Sequence, residues 1–204
     1  MTTPAPVSEV RILSLGDSYT IGEAVPAAEA WPMQLAALLR ARGVAVATPT
    51  VIARTGWTTS ELTMGIDGAN LRSGYDLVTL QIGVNDQFRG LAIDDYRKNF
   101  RALLERAAGF AGGRPSRVIV LSIPDWGVTP FADGRDRGRI ARDIDAFNAV
   151  NRDEASRAGA HYVNVTAVSR ERTDLLAADG LHPSGRMYGE WSQLAQPEAL
   201  AALR

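Results

Sequence analysis

The chain alternates between two apolar patterns, and that alternation leaves few architectures open. Residues 76–82, Asp-Leu-Val-Thr-Leu-Gln-Ile, put apolar side chains on both parities of an extended strand. Such a strand must be covered on both faces, as in a parallel sheet flanked by helices. Residues 11–15 read as a first strand and residues 117–123 as a fourth, also buried. Residues 44–53 are β-rich but contain Pro49, which places them at a sheet edge. Residues 161–165 form a short fifth strand.

Helical patterns fill the gaps. Residues 27–42 carry Trp31, Leu35, Leu38 and Leu39 at helical spacing, with Gly43 as the stop. Residues 58–64 make a short helix. Residues 96–110 set Tyr96, Phe100, Leu103 and Leu104 on one side, and residues 140–157 give a third long helix. Residues 187–196 read as a last helix with Trp191 and Leu194 facing inward. Repeated β-α order predicts an α/β fold, a parallel sheet with helices on both faces. Residues 16–23 read as a loop. Residues 124–138 hold two prolines and three glycines but join elements that one sheet needs, so they read as a functional loop. Residues 1–204 are therefore expected to form a single domain, with residues 1–9 a flexible N-terminal segment.

Composition removes several functions. The net charge of −1 offers nothing to attract nucleic acid or an anionic membrane. Cysteine is absent, which excludes thiolate nucleophiles and Cys-zinc sites. No stretch approaches the roughly 18 apolar residues of a membrane span. Residues 1–10 lack both a basic residue and an apolar run, so no signal peptide is read there. A soluble, cytoplasmic protein is the expectation. Nothing in the sequence specifies an oligomeric state.

Ligands of such folds bind beyond the carboxyl ends of the strands. Ser18, Gly56, Asn85 and the 124–138 loop all follow strands, so one rim should gather them. A serine hydroxyl there could act as a nucleophile once a base removes its proton, although Ser18 alone also suits a turn or helix cap. Asp179 and His182 lie three apart around Gly180; an aspartate on one ring nitrogen leaves the other free as a base. His161, at the start of a strand, reads as structural. The Asn85 amide and the Gly56 and Ser18 N–H groups could hold an oxyanion. Asp17 and Asp86 read as braces for their loops. Tyr19, Trp57, Phe88, Trp126 and Phe131 lie near the rim and could wall an acyl pocket. The G-x-S-x-G elbow, both phosphate-binding glycine motifs and the H-E-x-x-H zinc spacing are missing. No metal site is expected.

These segments together resemble the SGNH hydrolases, or GDSL-type esterases and lipases, named for the residues that stand here as Ser18, Gly56, Asn85 and His182. The resemblance runs from Arg11 to the final helix. Asp179-x-x-His182 and Gly83-x-Asn85-Asp86 match directly; Tyr19 departs from the family's leucine. The resemblance implies a flavodoxin-like three-layer α/β/α sandwich with a five-stranded parallel sheet. It implies a serine-dependent carboxylic ester hydrolase acting on a small-molecule ester through an acyl-enzyme, with no cofactor. Ser18 would be the nucleophile, His182 the base and Asp179 its orienter, with Ser18, Gly56 and Asn85 the oxyanion hole. A compact chain without an obvious lid suggests short acyl chains. The family also includes lysophospholipases, thioesterases and carbohydrate deacetylases. A flavodoxin-like phosphate or nucleotide binding module, using Ser18, Tyr19 and Thr20, is the alternative from another class.

Overall fold

The computed structural model describes residues 9–204. The expected flexible segment, residues 1–9, therefore lies outside the described residues except for Glu9. Five strands, β1 (Ile12–Gly16), β2 (Thr50–Ala53), β3 (Leu77–Gln81), β4 (Val118–Leu121) and β5 (His161–Val163), form one sheet in the order β2-β1-β3-β4-β5. Every pairing is parallel. Strands β1, β3 and β4 are buried along their whole length, while edge strands β2 and β5 are half-buried. That matches the two kinds of strand pattern in the sequence.

Among the described residues, eight α-helices surround the sheet: α1 (Ser18–Ile21), α2 (Trp31–Ala41), α3 (Thr59–Gly68), α4 (Val84–Phe88), α5 (Ile93–Phe110), α6 (Arg137–Ala158), α7 (Thr166–Glu171) and α8 (Gly185–Ala202). Helices α2 and α8 pack together, as do α3 with α5 and α5 with α6. The largest fully buried side chains include Trp31, Trp191, Tyr96, Tyr188 and Phe100. Among the described residues no helix is long and apolar enough to cross a membrane.

Local chemistry sets many of the helix ends. The α3 N-terminus has a capping box in which Thr58 accepts from the Glu61 N–H and Glu61 accepts from the Thr58 N–H. Asp136 caps α6, and Gly159, at φ 76°, ends it in the left-handed region.

Some expectations shift. The helix read over residues 27–42 starts at Trp31, after a separate 3₁₀ turn at Ala27–Glu29. The loop read over residues 16–23 contains α1, and α4 and α7 were not foreseen. The last helix runs through Pro197 to Ala202, beyond the expected end at residue 196. Ala195, Ala199 and Ala202 remain buried across that proline, so packing outweighs the lost backbone hydrogen bond. Leu194 does not face inward: it is 44% exposed. The buried stripe steps by four, Met187-Trp191-Ala195-Ala199, and position 194 falls about 100° away from 195.

The segment 124–138 is tied down at several points. It forms 3₁₀ turns at Trp126–Val128 and Pro130–Ala132. Asp125 accepts from the Gly127 N–H at 2.8 Å and from Arg170 Nε at 2.8 Å, while the Asp125 N–H donates to Ser169 Oγ at 2.9 Å. Arg137 donates to the Gly127 carbonyl at 2.5 Å.

The carboxyl ends of β1 and β3 approach each other without room for a side chain at Gly16. A Cβ there would stand 2.0 Å from Thr20 Oγ1 and 2.6 Å from the Gln81 carbonyl oxygen. Gly16→Ala should therefore destabilise the protein by about 1–3 kcal/mol. Urea unfolding should show this as a lower midpoint with an unchanged slope; a wild-type midpoint would contradict the close approach.

Candidate active site

The β1–α1 turn fixes Ser18. Asp17 is the N-cap of α1 and its Oδ1 accepts from the Tyr19 N–H at 3.0 Å. Ser18 is thus the first residue of a helical turn, where a backbone N–H has no intrahelical acceptor. Its hydroxyl meets the far end of the chain. His182 Nε2 lies 3.0 Å from Ser18 Oγ, and His182 Nδ1 lies 2.6 Å from Asp179 Oδ2. With the Nδ1 proton donated to the carboxylate, Nε2 turns its lone pair to the serine.

The loop of His182 is preset by its aspartate. Asp179 Oδ1 accepts from both the Leu181 and His182 N–H groups at 3.0 Å. Gly180 turns at φ 67°, a conformation that favours glycine. Burial pushes the Asp179 carboxyl up, but the hydrogen bonds from His182 and the two backbone N–H groups outweigh it. The carboxyl is held below its ordinary range, so it remains ionised beside the imidazole. A bridge between Leu176 and Pro183 and the Phe131 N–H to Gly180 carbonyl contact fasten the loop to its surroundings.

Gly56 comes from the turn after β2, and Asn85 from α4, which follows β3. Asn85 donates one amide N–H to the Trp57 carbonyl at 2.9 Å, which orients the amide and leaves its second N–H for another acceptor. Arg89 donates to the Gly56 carbonyl at 2.6 Å and pairs with Glu61, 3.2 Å away. Gly56 adopts φ 81°. Gly83, at φ 123°, precedes α4; a Cβ there would lie 2.3 Å from the Tyr96 hydroxyl. Glycine at 83 thus lets α4 start against α5 and carries Asn85 to the rim.

Ser18, Gly56, Asn85 and His182 line one cleft with Tyr19, Phe88, Trp126 and Phe131, and its cavity volume is about 140 Å³. Phe88, Trp126 and Phe131 form a cluster with ring centroids 5.3–6.0 Å apart. The Trp126 indole donates to Gln87 Oε1 at 2.8 Å. Tyr19 is buried, with its ring centroid 5.0 Å from that of His182 and 6.2 Å from that of Trp191. It backs the imidazole.

Trp57 departs from expectation. Its side chain is not among the cleft's lining residues; the indole lies over Gly65 in α3, where a Cβ would come within 2.1 Å of the ring. The ring fills the space that glycine leaves, and only the Trp57 carbonyl serves the site. His161 sits apart, between Glu198 at 2.6 Å and the Ser116 carbonyl at 3.0 Å. Sequence reading missed Gln87 and Arg89. Recognising α4 would have exposed Arg89, since positions 85 and 89 share a helix face.

A family model described as GDSL-like lipase/acylhydrolase matches residues 14–189. No curated protein matches the chain. Solved structures do. The lipase Lip_vut3 from a goat rumen metagenome is similar with a TM-score of 0.79 at 21% identity, over 96% of this chain and 100% of that one. TesA gives a TM-score of 0.74 at 20% identity, over 95% and 99%. The psychrotrophic esterase EstA from Pseudoalteromonas sp., inhibited by monoethylphosphonate, gives 0.67 at 18% identity, over 95% and 94%. Likeness at such identities carries the fold.

Two more carboxylates sit beneath the cleft. Burial, opposed by the Tyr19 N–H and reinforced by nearby Asp86, pushes Asp17 up to about 8 from 3.8. Burial also raises Asp86, against hydrogen bonds from the Thr59 hydroxyl at 2.6 Å and the Thr59 N–H at 3.0 Å. Folding therefore takes up protons at Asp17. Its stabilising share is complete below pH 3.8, shrinks as pH rises and is gone above about 8. Asp17→Asn keeps a capping oxygen and removes the charge. Urea unfolding at pH 5 and pH 8.5 should show a smaller loss of stability with pH in Asp17→Asn than in the wild type. Equal losses would contradict a proton held at Asp17.

Proposed function

The chain belongs to the GDSL-like lipase/acylhydrolase family and hydrolyses ester bonds; we propose that it does so as a serine-dependent carboxylic ester hydrolase, through an acyl-enzyme on Ser18. The observation that carries this reading is the series Asp179–His182–Ser18, joined by contacts of 2.6 and 3.0 Å. In this reading residues 1–204 act as one catalytic domain on a small-molecule ester.

Ser18 Oγ attacks the ester carbonyl carbon while His182 Nε2 takes its proton. The carbonyl electrons move onto oxygen, and the Ser18 and Gly56 N–H groups and the Asn85 amide stabilise that oxyanion. As the tetrahedral intermediate collapses, the bond to the leaving oxygen breaks and His182 gives that oxygen the proton. Water then attacks the acyl carbon as His182 takes a proton from it. A second collapse releases the acid, and the proton returns to Ser18. Asp179 stays ionised throughout and steadies the imidazolium.

The contact of the Ser18 hydroxyl with His182 and the burial of Thr20 favour the hydrolase reading over a phosphate-binding module.

A fluorophosphonate should add to one residue, Ser18, as read by intact mass and peptide mapping, and the adduct should vanish in Ser18→Ala. Ser18→Ala and His182→Ala should each lower kcat about 10⁴- to 10⁶-fold, and Asn85→Ala about 10²- to 10³-fold. Labelling elsewhere, or full turnover in Ser18→Ala, would end the reading.

The size of the cleft supports short acyl chains. Its cavity volume of about 140 Å³ is small beside the roughly 300–1,000 Å³ of drug-sized ligand pockets. Across p-nitrophenyl esters, kcat/KM should peak between acetyl and butyryl and fall for longer chains. A maximum at ten carbons or beyond, taken as about that length, would contradict the preference.

A further inference from the structure

The aromatic wall of the cleft carries a cation. The guanidinium of Arg135 lies 5.2 Å from the ring centroid of Phe88, 5.4 Å from that of Phe131 and 5.5 Å from that of Trp126. All three rings line the cleft of Ser18 and His182. On the outer side, Arg135 faces a second cavity of about 340 Å³ that shares Phe88 and Trp126 as walls. An arginine over one ring is ordinary surface packing. Here a single guanidinium is shared by every aromatic residue at one edge of the cleft.

The neighbouring carboxylates each have a partner other than Arg135. Asp133 pairs with Arg137 at 2.6 Å and Asp143 with Arg139 at 3.7 Å. Asp136 accepts from the Arg139 N–H at 2.9 Å as the cap of α6. Among the described residues Arg135 pairs with no carboxylate. It is exposed, so it can pivot off the rings without breaking an ion pair. A planar fork of donors suits a carboxylate or sulfonate, which can accept two of its N–H groups together.

We infer that Arg135 is a specificity-determining residue that selects esters carrying an anionic group a few bonds from the scissile carbonyl. The apolar part of such a substrate lies against Phe88, Trp126 and Phe131, and its charged end reaches the guanidinium. The inference rests on the hydrolase reading of the same cleft and narrows its substrate class.

The test compares three esters: neutral p-nitrophenyl butyrate, mono-p-nitrophenyl glutarate with an anion on the acyl side, and 4-butyryloxybenzenesulfonate with an anion on the leaving group. Arg135→Gln should lower kcat/KM for at least one anionic ester about 10-fold or more, mainly through KM, and change the neutral ester by no more than about twofold. Arg135→Glu should lower it further and Arg135→Lys should restore part of it. High salt should erode the wild-type preference. Which anionic ester suffers shows which end of the substrate Arg135 reads. Equal changes on all three esters, or no change on any, would overturn the inference while leaving the hydrolase intact. A wild-type protein inert toward the neutral ester as well would instead count against the hydrolase reading.

Discussion

The site depends on one contact between residues 164 positions apart, the hydrogen bond from Ser18 to His182. The serine is set by the first strand and its turn, the histidine by the loop that enters the last helix. Nothing local to either segment brings them together. Helix α8 does so by lying along α2. Gln34 donates to the Gly185 carbonyl at 2.7 Å, Ser192 to the Trp31 carbonyl at 2.9 Å and Gln196 to the Leu38 carbonyl at 3.1 Å. These contacts are spread along both helices and fix the translation of α8 as well as its rotation. Gly185 permits the approach at the near end, since a Cβ there would collide with Glu29. A shift of α8 would therefore be felt at the imidazole.

Strand order supplies the other half of the arrangement. Strands β1 and β3 are neighbours, and their following segments leave to opposite faces of the sheet, which opens a crevice between them. Ser18 stands at one side of that crevice and Asn85 at the other. Between them Asp17 and Asp86 are buried together, and burial favours their neutral forms. Asp179, in contact with His182, is favoured as an anion. The same side-chain type thus takes opposite states by environment: Asp179 is held charged beside the imidazole, while burial favours an uncharged Asp17 next to Ser18.

Much of this was legible in the sequence. Runs such as Leu77–Gln81 are apolar on both parities because both faces are covered, so the sheet class followed from pattern alone. Pro49 marked the edge before β2, and Asp179 and His182 were readable because their contact is local, three residues apart. What escaped were short elements. The α1 and α4 helices are only four and five residues long, too short for a period to show. Leu194 was misassigned because a three-residue step from Trp191 and a four-residue step both look helical, and only the partner helix decides which one is buried. Trp57 was placed on the rim by its neighbour Gly56, but the gap at Gly65 that receives its ring is a property of packing.

The sequence by itself determined the class of sheet, through strand and helix patterns that alternate along the chain, and the pairing of Asp179 with His182, through a spacing of three residues. Tertiary structure alone decided that the serine and imidazole touch, which aromatic residues face the cleft, and where an arginine without a carboxylate partner comes to rest. Those outcomes arise from packing between elements far apart in the chain, where many weak contacts act together and no single segment carries the instruction.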